Sequence, residues 1–560
     1  MMWEWLETIF GVQFILLVFW AYVIYAVGAA IFIILDNRQP TSTFAWLFLF
    51  ILLPLVGVGI YILFGREMRP FSRRSRLARL SPAMESSLAP YLEPLVERER
   101  AALRALRADG ELSHMQGKLA EMLRRTNLAM LTVGNQVELL QDASSMYPRL
   151  EEDIRNAQHS IHMEYFTWTA DKYMQELGDL LIERAQAGVR VRILYDALGS
   201  LSLDWRHRGY VGRLRRGGVE IYSYLNRFFL LSLHSINYRN HRKITVIDGR
   251  IGYTGGLNMG LEHLEGAGPY NAWRDTHLRI TGETAAVLQA VFATSWYNTT
   301  NEHLADRHYF AAADVRRRPA RVPIALPTAS TVAPHAGVNA TDAHATDSHA
   351  FTAQQITPMD SGIPGDGITP PTHGYAQVPV QIVGAGPDSQ WYAIQQLYFF
   401  MIPLANSHVY IQSPFFIPDA SVSEALKAAA LAGVDVRIMC ARRDTMYPVP
   451  NWAANTYFDD MARAGVKIYL MQSAYMHSKT ISIDSTICSV GSANMDLRSF
   501  QINYEINAVL YHRKLAQELE DQFHKDLEDC VQFNLESYRS GSNFAGRMRD
   551  SLARLVSPLL

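Results

Sequence analysis

One chemical pattern occurs twice in this chain. His241-Arg-Lys243, Asp248 and Gly255-Gly-Leu-Asn258 return as His477-Ser-Lys479, Asp484 and Gly491-Ser-Ala-Asn494, with every interval identical. Three more echoes flank it. His162-Met-Glu-Tyr-Phe166 answers to Tyr410-Ile-Gln-Ser-Pro-Phe-Phe416, Ala187-Gly-Val-Arg-Val-Arg-Ile193 to Ala432-Gly-Val-Asp-Val-Arg-Ile438, and Gly218-Val-Glu-Ile-Tyr222 to Gly465-Val-Lys-Ile-Tyr469. A repeat of this kind demands one supersecondary unit built twice. Each copy reads as strand, helix, Gly turn and strand, with β-branched and aromatic runs after the Gly. The expected fold class is α/β: two pseudo-symmetric lobes, each a mixed sheet flanked by helices.

The repeat begins only after a different kind of sequence. Between residues 9 and 35 the one strongly polar side chain is Gln13, and about 27 residues at 1.5 Å each span ~40 Å, enough to cross a bilayer with tilt. Residues 44–64 form a second apolar run containing Pro54, which membrane helices tolerate. Residues 36–43 then read as a tight hairpin loop. The first run is too long for a signal peptide, no Lys or Arg precedes it, and a second run follows. Residues 65–80 carry six Arg against one Glu, so the positive-inside rule puts the rest of the chain in the cytoplasm; the same cations suit anionic headgroups. Three cysteines, Cys440, Cys488 and Cys530, show no CxxC spacing and fit a reducing compartment without a structural zinc site.

Residues 322–376 contain no Lys, Arg or Glu and seven Pro, a composition that buries too little apolar surface to fold, so they read as a disordered linker. His335, His344, His349 and His373 lie there without the spacing of a metal site. The expected domains are a transmembrane helical hairpin (1–65), a cytoplasmic helical connector (66–130), a first lobe (131–315), the linker (316–377), a second lobe (378–540) and a C-terminal amphipathic helix (541–560). In that last helix Met548, Leu552, Leu555, Val556 and Leu559 share a side with Arg547, Arg549 and Arg554 nearby, which suits a membrane interface.

The duplicated motif points to chemistry at a phosphodiester. In residues 243–247 and 479–483 the alternation is that of a strand, and Asp248-Gly249 and Asp484-Ser485 read as turns. His241 and Lys243, like His477 and Lys479, therefore share a face. Asp248 and Asp484 belong to the motif's catalytic set but face the other way, which suits a structural role. One imidazole attacks phosphorus, the other protonates the leaving alcohol, and Lys243, Lys479, Asn258 and Asn494 hold the anionic oxygens. No metal or other cofactor is required. An imidazole nucleophile needs an acceptor behind it; Asp275, 34 residues after His241, and Glu505, 28 after His477, are the candidate histidine-orienting carboxylates.

These residues resemble the phospholipase D superfamily, whose HxKxxxxD motif and Gly-x-x-Asn tail occur twice in a two-lobed fold. Within it the chain is most similar to bacterial cardiolipin synthases. The likeness runs through Ala45-Trp46 to Phe64-Gly-Arg66, Leu131 to Leu140, Tyr195-Asp-Ala-Leu-Gly-Ser200, Trp273-Arg-Asp-Thr-His277, Ser413-Pro-Phe-Phe-Ile-Pro418 and Asn494-Met-Asp-Leu-Arg-Ser-Phe500. The resemblance implies that two phosphatidylglycerol molecules yield cardiolipin and glycerol through a phosphatidyl-histidine, with His241 as nucleophile and His477 as general acid and then base. It implies other anionic phospholipids as partners and a multi-pass protein of the bacterial inner (cytoplasmic) membrane with its lobes on the cytoplasmic side. Gly256 stands where the second copy has Ser492, so one lobe is expected to lack a hydroxyl contact to phosphate.

Two other functions use the same histidines. A hydrolase releasing phosphatidic acid shares every catalytic residue and differs only in admitting water. A membrane-tethered nuclease would want a basic groove with stacking aromatics, whereas Lys plus Arg (52) nearly cancels Asp plus Glu (54) and apolar insertions lie beside the motif, so no nucleic-acid partner is expected. Phe228, Phe229, Phe415, Phe416 and Trp452 suit either an acyl-chain entrance or core packing, and the apolar insertion at 223–240 is expected to dip into the bilayer. Arg213, Arg215 and Arg216 read as a solvated helix face. Oligomeric state, a homo-oligomer included, is open at this level.

Overall fold

A computed structural model describes residues 2–35, 40–53, 56–57, 60–61, 82–108, 111–127, 129–224, 237–313, 374–389, 391–442, 448–541 and 543–555. Residues 36–39 of the expected hairpin loop, the Arg-rich stretch at 65–80, most of the linker and most of the insertion at 223–240, with Phe228 and Phe229, lie outside them; residues 40–43, read as loop, are the first turn of a helix instead. Every described strand and helix belongs to one unit, Met1–Val315 with Tyr375–Leu560.

The duplication is visible strand by strand. The first half supplies β1 (Leu131–Gln141), β2 (Ser160–Tyr165), β3 (Arg190–Asp196), β4 (Glu220–Tyr224), β5 (Ile244–Ile247), β6 (Ile251–Gly255) and β7 (Thr276–Gly282). The second half supplies their equivalents in the same order: β8 (Tyr375–Ala385), β9 (His408–Gln412), β10 (Asp435–Ala441), β11 (Lys467–Met471), β12 (Thr480–Ile483), β13 (Ile487–Gly491) and β14 (Glu505–Leu510). A short β15 (Cys530–Gln532) is added at one edge. All fifteen join in one sheet, ordered β15-β11-β10-β9-β12-β13-β14-β8-β1-β7-β6-β5-β2-β3-β4. The order reads outward identically from the β1–β8 junction, which is antiparallel with Leu131 opposite Gln381. Each half runs parallel through β2, β3 and β4 or β9, β10 and β11, and antiparallel elsewhere.

Parallel strands need crossovers, and the helices Lys172–Gln186 and Ala420–Leu431 provide them, each N-capped by an aspartate, Asp171 and Asp419, whose carboxylate accepts otherwise orphaned backbone N–H groups. The core passes through the junction without interruption. Val137, Val246, Leu278 and Leu288 of the first half pack with Val380, Val490, Ile506, Leu515 and Leu519 of the second in one buried cluster. Helices Pro82–Ala108 and Glu111–Asn127 bind this body: Leu88 and Leu95 join Phe292 and Trp296 in a core cluster, and Asn127 exchanges two hydrogen bonds with Gly384.

Ahead of this body the helix Met2–Leu35 contains a 20-residue stretch, Leu16–Leu35, long and apolar enough to cross a membrane. The helix Pro40–Leu52 takes in residues 44–52 of the second expected span, and residues 56, 57 and 60 are helical beyond it. Its Phe50 and, beyond its end, Tyr61 cluster with Ile33 of the first helix, and the Tyr22 hydroxyl donates to the Ile51 carbonyl at 2.8 Å. At the other end, Phe544–Leu555 lies against the helix Pro448–Arg463, tied by Asn455 to Asp550 at 3.0 Å, while Phe544, Met548, Leu552 and Leu555 remain exposed.

Candidate active site

Both motif hairpins turn as their sequence predicts. Asp248 and Gly249, like Asp484 and Ser485, adopt positive φ of about 50–60°, the two-residue turn that matches strand twist. The aspartates stay out of the site. Five residues beyond the lysine, roughly 17 Å at strand rise, the Asp248 carboxylate accepts from the backbone N–H of Gln158, His159 and Ser160 at 2.7–2.9 Å. Asp484 accepts from Asn406, Ser407 and His408 at 2.7–2.9 Å. Each ties the start of the neighbouring strand to its hairpin, the placement that strand parity predicts for a structural role.

The histidines sit at the other ends of these strands, and each is positioned by the opposite half. The backbone N–H of His241 donates to the Tyr504 carbonyl at 2.9 Å, and that of His477 donates to the Arg274 carbonyl at 2.8 Å. Ala474–Met476 pairs in parallel with Ala272–Arg274, and Asn240 bridges to Tyr504 in the same sense. The residue after Arg274 is Asp275, and the residue after Tyr504 is Glu505. His241 Nδ1 therefore meets Glu505 at 2.9 and 3.0 Å, and His477 Nδ1 meets Asp275 at 2.6 Å. The pairing is crossed: spacing along the chain associates Asp275 with His241 and Glu505 with His477, and the structure exchanges them. In both pairs Nδ1 is engaged by the carboxylate, which directs Nε2 to the reacting group.

Burial and charge set the protonation states. The His241 and His477 side chains are each 12% exposed, and both carboxylates are fully buried. Burial, helped by Lys243 and Lys479, lowers His241 to about 4 against the opposing pull of Glu505. Burial, then Lys479, Lys243 and His241, holds His477 well below its usual range. Burial would raise Glu505, but His241, Lys243 and the Ser492 hydroxyl outweigh it and the carboxyl lies low. Desolvation likewise lowers Lys243 strongly and Lys479 to about 8. Each ammonium donates to the carbonyl of its own motif histidine, Lys243 to His241 at 2.7 Å and Lys479 to His477. Neutral imidazoles beside two buried lysines, whose charged form a bound anion favours, make a centre prepared for an anion.

Asn258 and Asn494 are almost buried. Asn258 Oδ1 accepts from the Thr167 backbone N–H at 3.2 Å, while Asn494 Oδ1 has no hydrogen-bond partner among the described residues. Ser492 departs from expectation. Its hydroxyl donates to Glu505 at 2.5 Å and accepts from the Ile506 N–H at 2.9 Å, so it supports the His241 orienter and does not face phosphate. In the other half a Cβ at Gly256 would stand 2.0 Å from Asp275 Oδ1, so the glycine makes room for the shorter carboxylate.

Several neighbours complete the site: Phe166, Trp273 and Arg274 from the repeated and family-like segments, and His263 from outside them. Arg274 is held by Asp526 at 2.8 Å and Asp142 at 3.1 Å, one from each half, which fixes the strand carrying Asp275. Phe166 packs edge-on to His241 and Trp273 tilts against His477, both at 4.9 Å between ring centroids. His263 lies against Trp273 and His477; its only sequence signal is its position five residues after Asn258, matching Ser499 after Asn494. Among the remaining candidates, Phe416 is core, Trp452 lies under Arg549 at 4.8 Å, and Arg213 and Arg215 bond to Asp179 and the Ile221 carbonyl.

The duplicated centre and its N-terminal helices both have counterparts in known proteins. The family model "Cardiolipin synthase, PLD-like domain" matches residues 150–296 and 399–527, and "Phospholipase D-nuclease N-terminal" matches 24–66. A cardiolipin synthase of Alkalihalophilus pseudofirmus is 33% identical over 95% of this chain and 91% of its own. One of Geobacillus kaustophilus is 33% identical with the same coverage. The crystal structure of phosphatidylserine synthase from Haemophilus influenzae Rd KW20 superposes with a TM-score of 0.53 at 13% identity, covering 79% of this chain and 100% of that one; at that identity the likeness is one of fold. Identity of 33% over 95% of the chain, with a family model matching both halves, shows the family: the chain belongs to the cardiolipin synthase family of the phospholipase D superfamily.

Proposed function

We propose that the protein joins two phosphatidylglycerol molecules into cardiolipin and glycerol by way of a phosphatidyl-histidine. The observation that carries this reading is the crossed pair His241–Glu505 and His477–Asp275, converging with Lys243 and Lys479 in a centre almost closed to solvent. Nε2 of His241 attacks phosphorus of the first lipid while Glu505 stabilises the imidazolium that forms. The bound phosphodiester raises the basicity of His477, which takes up a proton and delivers it to the departing glycerol oxygen. Lys243, Lys479, Asn258 and Asn494 stabilise the charge on the phosphoryl oxygens. His477, now neutral, accepts the proton of the glycerol hydroxyl of a second phosphatidylglycerol as that oxygen attacks phosphorus and releases His241.

Transfer wins over hydrolysis because a water-poor centre leaves the intermediate to a hydroxyl delivered with a lipid. The substrates reach it from the membrane in which the N-terminal helices anchor the chain. The Arg-rich residues 65–80 favour a cytoplasmic position for the lobes at the bacterial inner membrane, with anionic lipid at the anchor. The test is incubation of detergent-purified protein with phosphate-labelled phosphatidylglycerol in chelator. Cardiolipin with free glycerol is the expected outcome; phosphatidic acid alone would make the protein a hydrolase.

A further inference from the structure

His263 is a buried imidazole that makes no hydrogen bond among the described residues. It is 2% exposed, lies 4.5 Å from the Trp273 ring and 5.6 Å from that of His477 between centroids, and neither ring nitrogen has a hydrogen-bond partner among the described residues. Burying both polar atoms of an imidazole without partners is costly, so the group's position calls for a ligand. One donor atom each from His263, Asp275 and His477 lie within 4.8 Å of one another. The feature is confined to one half. At the equivalent place the second half has Ser499, whose hydroxyl accepts from the Asn494 N–H at 3.1 Å.

We propose that His263, Asp275 and His477 form an inhibitory binding site for a borderline divalent cation of the Zn²⁺ class. Two imidazoles and a carboxylate are a recurrent zinc donor set, with water completing a tetrahedron. Ligands about 2.0–2.1 Å from the ion stand roughly 3.4 Å apart in that geometry, so the set must contract, and His263 has no hydrogen bond among the described residues to give up as it does. The cation takes the free lone pair of the neutral His477 imidazole, the position a proton would otherwise occupy, and no proton is displaced. His477 then can neither protonate the leaving glycerol nor deprotonate the incoming hydroxyl.

The inhibitory consequence rests on the function proposed above, whereas the binding does not, and the test separates them. Full-length protein in detergent, stripped with chelator, is titrated with Zn²⁺ by calorimetry and with Co²⁺ by visible absorption, in parallel with the cardiolipin assay. One ion per chain is expected, a Co²⁺ ligand-field band of tetrahedral intensity, and activity that falls with occupancy and returns with chelator. His263→Phe keeps a ring against Trp273; it should keep chelator-treated activity and weaken binding and inhibition by about tenfold or more, as loss of a direct ligand must cost at least what loss of its supporting partner does. His263→Gln serves if that variant does not fold. Ion binding equal in wild type and both variants, or none in wild type, overturns the site. Binding that depends on His263 in a protein that makes no cardiolipin even in chelator upholds the site and refutes the proposed function.

Discussion

Glu505 belongs to the second half of the chain yet holds His241 of the first, 264 residues away, with both carboxylate oxygens within 3.0 Å of Nδ1. Asp275 returns the arrangement to His477 across 202 residues. Neither half therefore contains a complete catalytic pair, and the two motifs work as one site only when the β1–β8 junction is formed. Replacing Glu505 with Gln keeps the shape but offers His241 an amide in place of a carboxylate. The expected loss in kcat is about 10³–10⁴-fold, the scale seen when a histidine's buried carboxylate partner is neutralised, with little change in KM. Steady-state kinetics in mixed micelles measures it, and a loss under tenfold would argue against the crossed pairing.

The aspartates of the motif should behave differently from its histidines. Asp248→Ala removes the acceptor of three backbone N–H groups, which at charge-assisted strength costs roughly 3 kcal/mol or more. Asp484→Ala should match it. Thermal unfolding should shift downward in both while activity per folded molecule stays near wild type. A dead protein with an unchanged unfolding midpoint would return these residues to the chemistry.

Gly256 and Ser492 occupy equivalent positions and should not be interchangeable. A side chain at 256 collides with Asp275, and displacing that carboxylate by about 1 Å is expected to cost on the order of 10²-fold in rate. Ser492→Gly loses one hydroxyl donated to Glu505 and should cost less than tenfold. Kinetics of Gly256→Ser beside Ser492→Gly decides this, and equal losses would contradict it.

The acid limb of the rate profile follows from His241. The attacking imidazole must be neutral, and its folded value is lowered to about 4, by burial first and by Lys243 and Lys479 next. Activity should therefore persist as pH falls through 6.5, the ordinary imidazole value, and decline only as pH approaches 4. The pH dependence of kcat/KM, which reports the free enzyme, measures it; an acid limb at 6.5 or above would show that the site does not depress His241.

Much of the fold is legible in the sequence because the repeat is local. The runs after Gly188, Gly218, Gly433 and Gly465 become strands within two residues, and the alternation at 243–247 and 479–483 places both histidines and lysines correctly relative to one another. Strand parity also foretells that Asp248 and Asp484 turn away. The crossing is not legible: distance along the chain assigns Asp275 and Glu505, whereas the pairing of Ala474–Met476 with Ala272–Arg274 is a contact between halves that no local pattern records. Ser492 misleads for a related reason: its hydroxyl suits phosphate chemically, and only the packing of β13 against β14 reveals that Glu505 already takes it. His263 leaves no trace in periodicity or charge; its place is set by the short helix Glu262–Glu265 and by burial against Trp273.

In the proposed reaction His241 carries the phosphatidyl group while His477 moves the protons. The most direct measurement of that division is to mix wild-type protein, with His241→Asn and His477→Asn beside it, with phosphate-labelled phosphatidylglycerol, quench within the first turnovers at high pH, where phosphohistidine survives, and map the label by peptide mass spectrometry. A phosphatidyl adduct is expected on the peptide containing His241, absent from His241→Asn. Label on another residue, or cardiolipin formed at the wild-type rate by either variant, would contradict it.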